Sequence, residues 1–287
     1  MATKRTIPLN RIEGVSAGGS PILQLPTNVR YHVIALEYWT TTAGGATRAT
    51  MEDEIKQLRL LLEEVPQRKM SSYELFKANE AKGVVVIEGD DTHPGYLFIF
   101  LSEPQRDSNL LDESTAWGML GVEDFQLELD IKDTGQTVKL KGIALIDDVQ
   151  EAPAGIVKWK HNVITIGATG EEPYTINTTN GDSIQSLMFF EDTAGDIDDL
   201  LLEWDGIKIS QLTGNQQAAM VKSVGNGTAY VDKLRHIVLD RNNPPDALRT
   251  VKTVNGQARA VQETIATLNM TAARNVTLIR EVVGSPD

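Results

Sequence analysis

Four histidines, two acidic clusters and one glycine-rich loop are the places where this chain could do chemistry. His32, His93, His161 and His236 are scattered, and none sits in the H-x-H or H-E-x-x-H spacing that fixes a catalytic metal. His32 lies inside an apolar run and His236 in an equivalent later one, the setting of structural histidines rather than ligands. Glu88-Gly89-Asp90-Asp91 and Asp196-Ile197-Asp198-Asp199 supply carboxylates, but neither has the later glycine and bidentate glutamate of a calcium loop. Solvated loops or strand ends are the expectation for both, with a structural calcium ion between domains or subunits as the alternative. Gly167-Ala168-Thr169-Gly170 lacks the Gly-Lys-Ser/Thr ending of a phosphate loop, and Glu171-Glu172 would repel phosphate, so a hairpin loop is expected there. There is no G-x-S-x-G nucleophile elbow and no cysteine, which removes disulfides, thiolate metal sites and cysteine nucleophiles. Carboxylate pairs that could hydrolyse a sugar recur throughout, and nothing singles out one pair. No catalytic, cofactor-binding or metal-binding residue is therefore assigned, and no enzyme is expected.

The elements that would have to position any such groups come in duplicate. Residues 55–83 and 197–225 align without a gap at an offset of 142. Ile55, Leu58 and Leu60 fall on Ile197, Leu200 and Leu202; Ser71 and Glu74 fall on Thr213 and Gln216; Gly83 falls on Gly225. Upstream, Ile34-Ala35-Leu36 meets Leu187-Met188-Phe189 at 153, so the first copy has a longer loop around Thr40–Met51. Downstream, Val122, Leu129 and Ile131 meet Val261, Leu268 and Met270 at 139. A period of half the chain is too long for a solenoid and points to two similar domains left by duplication. The joint is expected near Gln150–Gly155, giving domains 1–150 and 151–287.

Strand signals dominate within each copy. Ile22–Leu25, Tyr31–Tyr38, Ile55–Leu62, Tyr96–Leu101, Phe125–Ile131 and Val138–Ile146 read as strands in the first, with a flexible loop after Thr40. Ile197–Trp204, Leu234–Leu239, Glu263–Met270 and Val276–Val283 read so in the second. Asp205-Gly206 is a hairpin turn, and Glu64-Val65-Pro66 is expected to turn the matching hairpin. Ser71-x-x-Glu74 and Thr213-x-x-Gln216 are capping boxes for one short helix per copy, stopping at Gly83 and Gly225. Phe125–Ile131 alternates apolar and polar residues, which describes a sheet with one wet and one dry face. About eight antiparallel strands per copy make an all-β chain of two tandem jelly-roll β-sandwiches, each with one short helix.

The net charge of −13 argues against direct contact with nucleic acid. Residues 1–152 carry 15 basic and 24 acidic side chains, and residues 153–287 carry 12 and 16. No apolar run approaches the ~20 residues of a spanning helix, and no apolar signal core follows Lys4-Arg5, so a soluble, non-exported product is expected.

Arg5-Thr6-Ile7-Pro8-Leu9-Asn10-Arg11-Ile12-Glu13-Gly14-Val15, Leu25-Pro26 with Arg30-Tyr31-His32, and Ala116-Trp117-Gly118 leading to Asp124–Ile131 carry a family resemblance. The chain resembles the double jelly-roll major capsid proteins of tailless, internal-membrane double-stranded DNA bacteriophages, the corticovirus-like group above all. It covers most of residues 5–146 by motif and reaches the second half through the repeat. The resemblance implies a virion protein made in the host cytoplasm. Three protomers would form a pseudo-hexagonal capsomer tiling an icosahedral shell, meeting other virion proteins at the vertices. It further implies that the N-terminal cations Lys4, Arg5 and Arg11 face the internal membrane. The alternative is a two-domain β-sandwich carbohydrate- or receptor-binding protein such as a virion spike; a glycosidase or isomerase on the same scaffold is a third. Against a glycan platform, Trp39, Trp117, Trp159 and Trp204 sit at strand ends or joints, which suits packing.

Overall fold

The computed structural model describes residues 3–103, 113–177, 182–224, 229–239, 247–249, 251–254, 257–261 and 263–287. They form two compact units, Met1–Trp159 with Ser285–Asp287, and Lys160–Gly284.

In the first unit the elements run β1 (Arg5–Pro8), β2 (Ile22–Gln24), β3 (Arg30–Thr40), α1 (Arg48–Glu54), β4 (Ile55–Leu62), β5 (Val65–Met70), α2 (Ser72–Ala81), β6 (Gly95–Phe100), β7 (Trp117–Gly118), β8 (Phe125–Ile131) and β9 (Val138–Asp147). One sheet has the order β1-β9-β3-β6, with β7 added at the start of β3. In the other, β5 pairs β4, β4 pairs β8 and β8 pairs β2, all antiparallel. Two four-stranded layers in that order are a jelly roll. Alternation decides which side of β8 is dry: Phe125, Leu127, Leu129 and Ile131 are buried while the residues between them are half-buried. Phe125 packs edge-on against Tyr31 of β3, ring centroids 5.2 Å apart, and lies 5.9 Å from Trp117 of β7. These aromatic contacts fill the space between the layers.

Strand β10 (Ile156–Thr165) begins in the first unit and ends in the second. The second unit continues with β11 (Gly170–Thr175), β12 (Ser183–Phe190), β13 (Ile197–Trp204), β14 (Ile207–Thr213), α3 (Gly214–Val224), β15 (Leu234–Val238), β16 (Leu248–Arg249), β17 (Val251–Val254), β18 (Gln257–Ala260), β19 (Thr264–Met270) and β20 (Asn275–Gly284). Its layers are β10-β20-β12-β15 and β11-β19-β13-β14, the same order again, while β17 and β18 form a separate hairpin. Leu187, Phe189 and Leu278 from one layer close on Leu200, Leu202 and Leu268 from the other.

The duplication extends to irregularities of the backbone. A bulge displaces the β3–β9 register at His32, and another displaces β12–β20 at Gln185. Bulges fall at Lys56 and Asp198 in β4 and β13, and at Gln67 and Ile209 in β5 and β14. Each pair is separated by the offset of its neighbourhood in the sequence alignment. The extra carbonyls are used alike. His32 O accepts from Leu101 N at 2.8 Å, and Gln185 O accepts from Leu239 N at 2.8 Å. A bulge leaves one residue outside the ladder, so its backbone must find such a partner.

Three local expectations are corrected. Among the described residues the first unit has a helix before α2 as well, because Thr47 caps α1 by accepting from Thr50 N and Met51 plugs the helix into the core. The first hairpin turns at Glu63 and Glu64, both left-handed at φ 48° and 66°, while Val65 and Pro66 open β5. Pro66 tolerates a strand there because it adjoins the bulge at Gln67, where the ladder is already interrupted. The Gly167–Gly170 segment joins strands of different layers, β10 and β11, and is not a hairpin. The capping boxes form as expected: Ser71 with Glu74, and Thr213 N donating to Gln216 Oε1 at 3.0 Å. Gly83 takes the left-handed conformation at φ 76°, whereas Gly225 lies outside the described residues.

Candidate functional site

The densest polar constellation is assembled where β3 starts and β9 ends. Arg30 and Asp147 face each other across the antiparallel ladder. Arg30 Nη2 donates to Asp147 Oδ2 at 2.6 Å and Nε donates to Oδ1 at 3.1 Å. The remaining guanidinium donors reach Glu151 at 3.1 Å and Glu113 at 3.3 Å, and Lys4 pairs with Glu113 at 3.0 Å. His32, turned inward by its bulge, sets Nε2 at 2.8 Å from Asp147 Oδ2. The Val149 amide adds a bond to Asp147 Oδ1 at 3.0 Å. Burial alone would raise the Asp147 carboxyl, but the bonds from Arg30, His32 and Val149 outweigh it and pull it down to about 2. The bond from Lys4 likewise holds Glu113 below its ordinary range.

A His–Asp pair could in principle act as an acid–base couple. Here the His32 and Asp147 side chains are each 1% exposed, and the guanidinium occupies the carboxylate. Neither atom can reach a substrate, and a general base must be within hydrogen-bond reach of one. The cluster pins the N-terminal segment, β3, β7 and residues 147–151 together. Gly118 belongs to this pin: a Cβ there would collide with the Glu151 carbonyl oxygen.

Asp90 and Asp196, one from each acidic cluster, cap their own turns. Asp90 Oδ1 accepts from Thr92 N at 2.6 Å and His93 N at 2.7 Å; with the Thr92 and His93 side-chain bonds, these hold its carboxyl far below the usual range. Asp196 accepts from Thr193 N at 2.7 Å, and Asp199 accepts from Gln211 at 3.1 Å. Among the described residues no group of three or more His, Asp or Glu is placed to hold a metal ion. His93 is exposed, His161 half-buried, and His236 buried in β15 with its carbonyl accepting from Gln217 at 2.6 Å.

The tryptophans pack. Trp117 and Trp159 sandwich the Arg68 guanidinium at 5.3 and 5.4 Å, while Arg68 donates to Val157 O and Phe100 O. Trp39 donates to Glu37 and Trp204 to Arg249 O. The N-terminal cations are separated: Lys4 goes to Glu113, Arg5 makes a bidentate pair with Asp148 at 2.7 and 3.0 Å, and Arg11 is exposed. Arg30, Asp147 and Arg68 carry most of this polar architecture; Arg30 enters the sequence reading only through the family resemblance, and Asp147 and Arg68 do not enter it.

The described residues form a pair of matched jelly rolls. A family model for the viral coat protein P2 N-terminal domain matches residues 6–150, just over half of the chain. The chain belongs to the viral coat protein P2 family. The coat protein is a structural component of the virion capsid, in a family of shell builders rather than enzymes, and the receptor-binding alternative is not favoured. Its fold is that of solved capsid proteins. The major capsid protein P2 of bacteriophage PM2 superposes with a TM-score of 0.82 at 19% identity, covering 99% of this chain and 98% of that one. The major capsid protein of Sulfolobus turreted icosahedral virus gives 0.69 at 12% identity over 99% and 97%. The Faustovirus major capsid protein gives 0.62 at 6% over 100% and 91%. No curated protein matches the coat protein.

Proposed function

We propose that the coat protein assembles as a homotrimer whose six jelly rolls form a pseudo-hexagonal capsomer of an icosahedral bacteriophage shell around an internal lipid membrane. The observation that supports this is the equivalence of the two units, down to the bulges. Two units of one shape let a single chain present nearly the same lateral surfaces twice, so a three-fold ring of chains approximates a six-fold tile. Other virion proteins would meet such tiles at the vertices. No cofactor enters this reading, and chelation with EDTA is expected to leave the trimer intact.

Lys4 and Arg5 are proposed to lie toward the membrane. The Arg5–Asp148 pair is more than half exposed on both partners. Exposed pairs are worth ~0–1 kcal/mol, so anionic headgroups can compete for the cation. Reversing both cations to glutamate should reduce co-flotation with phosphatidylglycerol vesicles; unchanged flotation would remove the membrane contact from the proposal.

The deciding experiment is light scattering on the purified protein with negative-stain imaging of the same peak. A particle of three times 31.5 kDa with a hexagonal outline is expected. A clean monomer at all concentrations would overturn the trimer.

A further inference from the structure

The two units differ where their edges end. In the first unit, the outer edge of β5 is met by Ile156–Trp159: Trp159 pairs in parallel with Arg68, and Arg68 Nε donates to Val157 O at 2.7 Å. In the second unit, β14 takes the place of β5, and among the described residues its only strand partner is β13. Two of its apolar side chains are part-exposed, Ile207 at 59% and Ile209 at 39%. The helix behind it repeats the contrast. Met220 of α3 is 43% exposed, whereas Ala78, 142 residues earlier, is fully buried in α2. An exposed edge strand with apolar side chains is a template for pairing with another chain.

The strand that would fill that template is identified by the same equivalence. β10 neighbours β20 as β1 neighbours β9, so β10 in the second unit is the counterpart of β1 in the first. β1 is itself an edge, with β9 as its only strand partner among the described residues. Among the sheet edges of the described residues, β14 and β1 are the two whose counterparts, β5 and β10, pair with each other. Charge favours the match. Residues 197–213 carry four acidic side chains and one lysine, and the complement is Arg11, an exposed cation close to β1.

We propose that β14 of one coat protein is closed by β1 of a second copy, in parallel, with the exposed face of α3 packing against that neighbour. The offset of 142 carries Arg68 onto Ser210, and Thr6 lies within β1 of the second copy. The contact is heterologous, a different surface on each partner, so it propagates head to tail and must close into a ring. Closure after three copies rests on the homotrimer reading above; the contact itself does not.

The chain has no cysteine, so an introduced pair gives a cross-link free of background. Ser210→Cys and Thr6→Cys chains bearing different tags are co-expressed and treated with a short bis-maleimide. A covalent dimer containing both tags is expected, with little product from either variant alone. An assembled trimer that yields no mixed cross-link overturns the β14–β1 contact and leaves the trimer standing. A mixed cross-link in particles that are not trimers supports the contact and overturns the trimer. A monomer without cross-link overturns both. Independently, Ile209→Glu with Met220→Glu should raise the concentration for half-assembly at least tenfold while the far-ultraviolet spectrum and melting temperature of the unassembled chain stay unchanged. Both residues are more than a third exposed in the single copy. Unaltered assembly of this variant also overturns the contact.

Discussion

Asp147 receives hydrogen bonds from Arg30, His32 and the Val149 amide in a site its side chain shares with almost no water. Removing its charge by Asp147→Asn leaves a buried guanidinium short of its main partner, a change that costs about 3 kcal/mol in comparable buried pairs. The pH dependence follows from the carboxyl's depressed value of about 2, against about 3.9 in an unfolded chain. A carboxyl whose folded pKa is lowered contributes its full stability above the unfolded pKa and loses it as pH falls through the folded one. Melting temperature is therefore expected to fall between about pH 4 and pH 2 in the native chain, and to fall less steeply in the asparagine variant. Parallel slopes would show that Asp147 is not the group responsible. At Gly118, substitution by alanine should lower the melting temperature by several degrees, because the Glu151 carbonyl cannot withdraw without loosening the Arg30 cluster. None of this was legible in the sequence. Arg30 and Asp147 are 117 residues apart, and their proximity is a product of strand pairing alone.

Elements were more legible, because their signals are local. The Ser71 and Thr213 caps lie within three residues of their partners, and both formed. Ser71→Ala and Thr213→Ala should each cost about 1 kcal/mol, measured by urea unfolding. The hairpins show where local signals mislead. Asp205-Gly206 announces its turn through a glycine, and its φ angles of 53° and 77° follow. The sister turn places two glutamates in the left-handed region, a choice that costs ~1 kcal/mol or more at a non-glycine residue. Proline at position 66 was the louder signal and displaced the expected turn toward it. Glu64→Gly is expected to raise the melting temperature by a few degrees; Glu63 should be kept, since its carboxylate accepts from Glu123 N at 2.6 Å. Helix α1 gives no periodic signal because its seven residues carry too few apolar positions.

For the whole molecule, the repeat is the most informative signal, since it sets the number of sandwiches independently of any single strand. It worked because a core position tolerates only apolar replacements, so Ile55, Leu58 and Leu60 keep counterparts in Ile197, Leu200 and Leu202. Surfaces keep no such memory, which is why the exposed β14 edge could not be read from sequence. Each unit has its own core, so damage should be confined. Leu268→Ala, deep in the second core, is expected to speed amide exchange throughout Lys160–Gly284 and leave β3 and β9 protected. Uniform acceleration over both units would show a single cooperative molecule instead.

The paired bulges also record a sequence of events. An inserted residue in a strand is an accident of position, and three accidents repeated at matching places are best explained by a common ancestor. His32 and Gln185, Lys56 and Asp198, Gln67 and Ile209 therefore descend from insertions older than the doubling of the chain, made when a single roll stood alone. Helix α1 and the hairpin of β17 and β18 each occur in one half only among the described residues, a difference between the halves that arose after it.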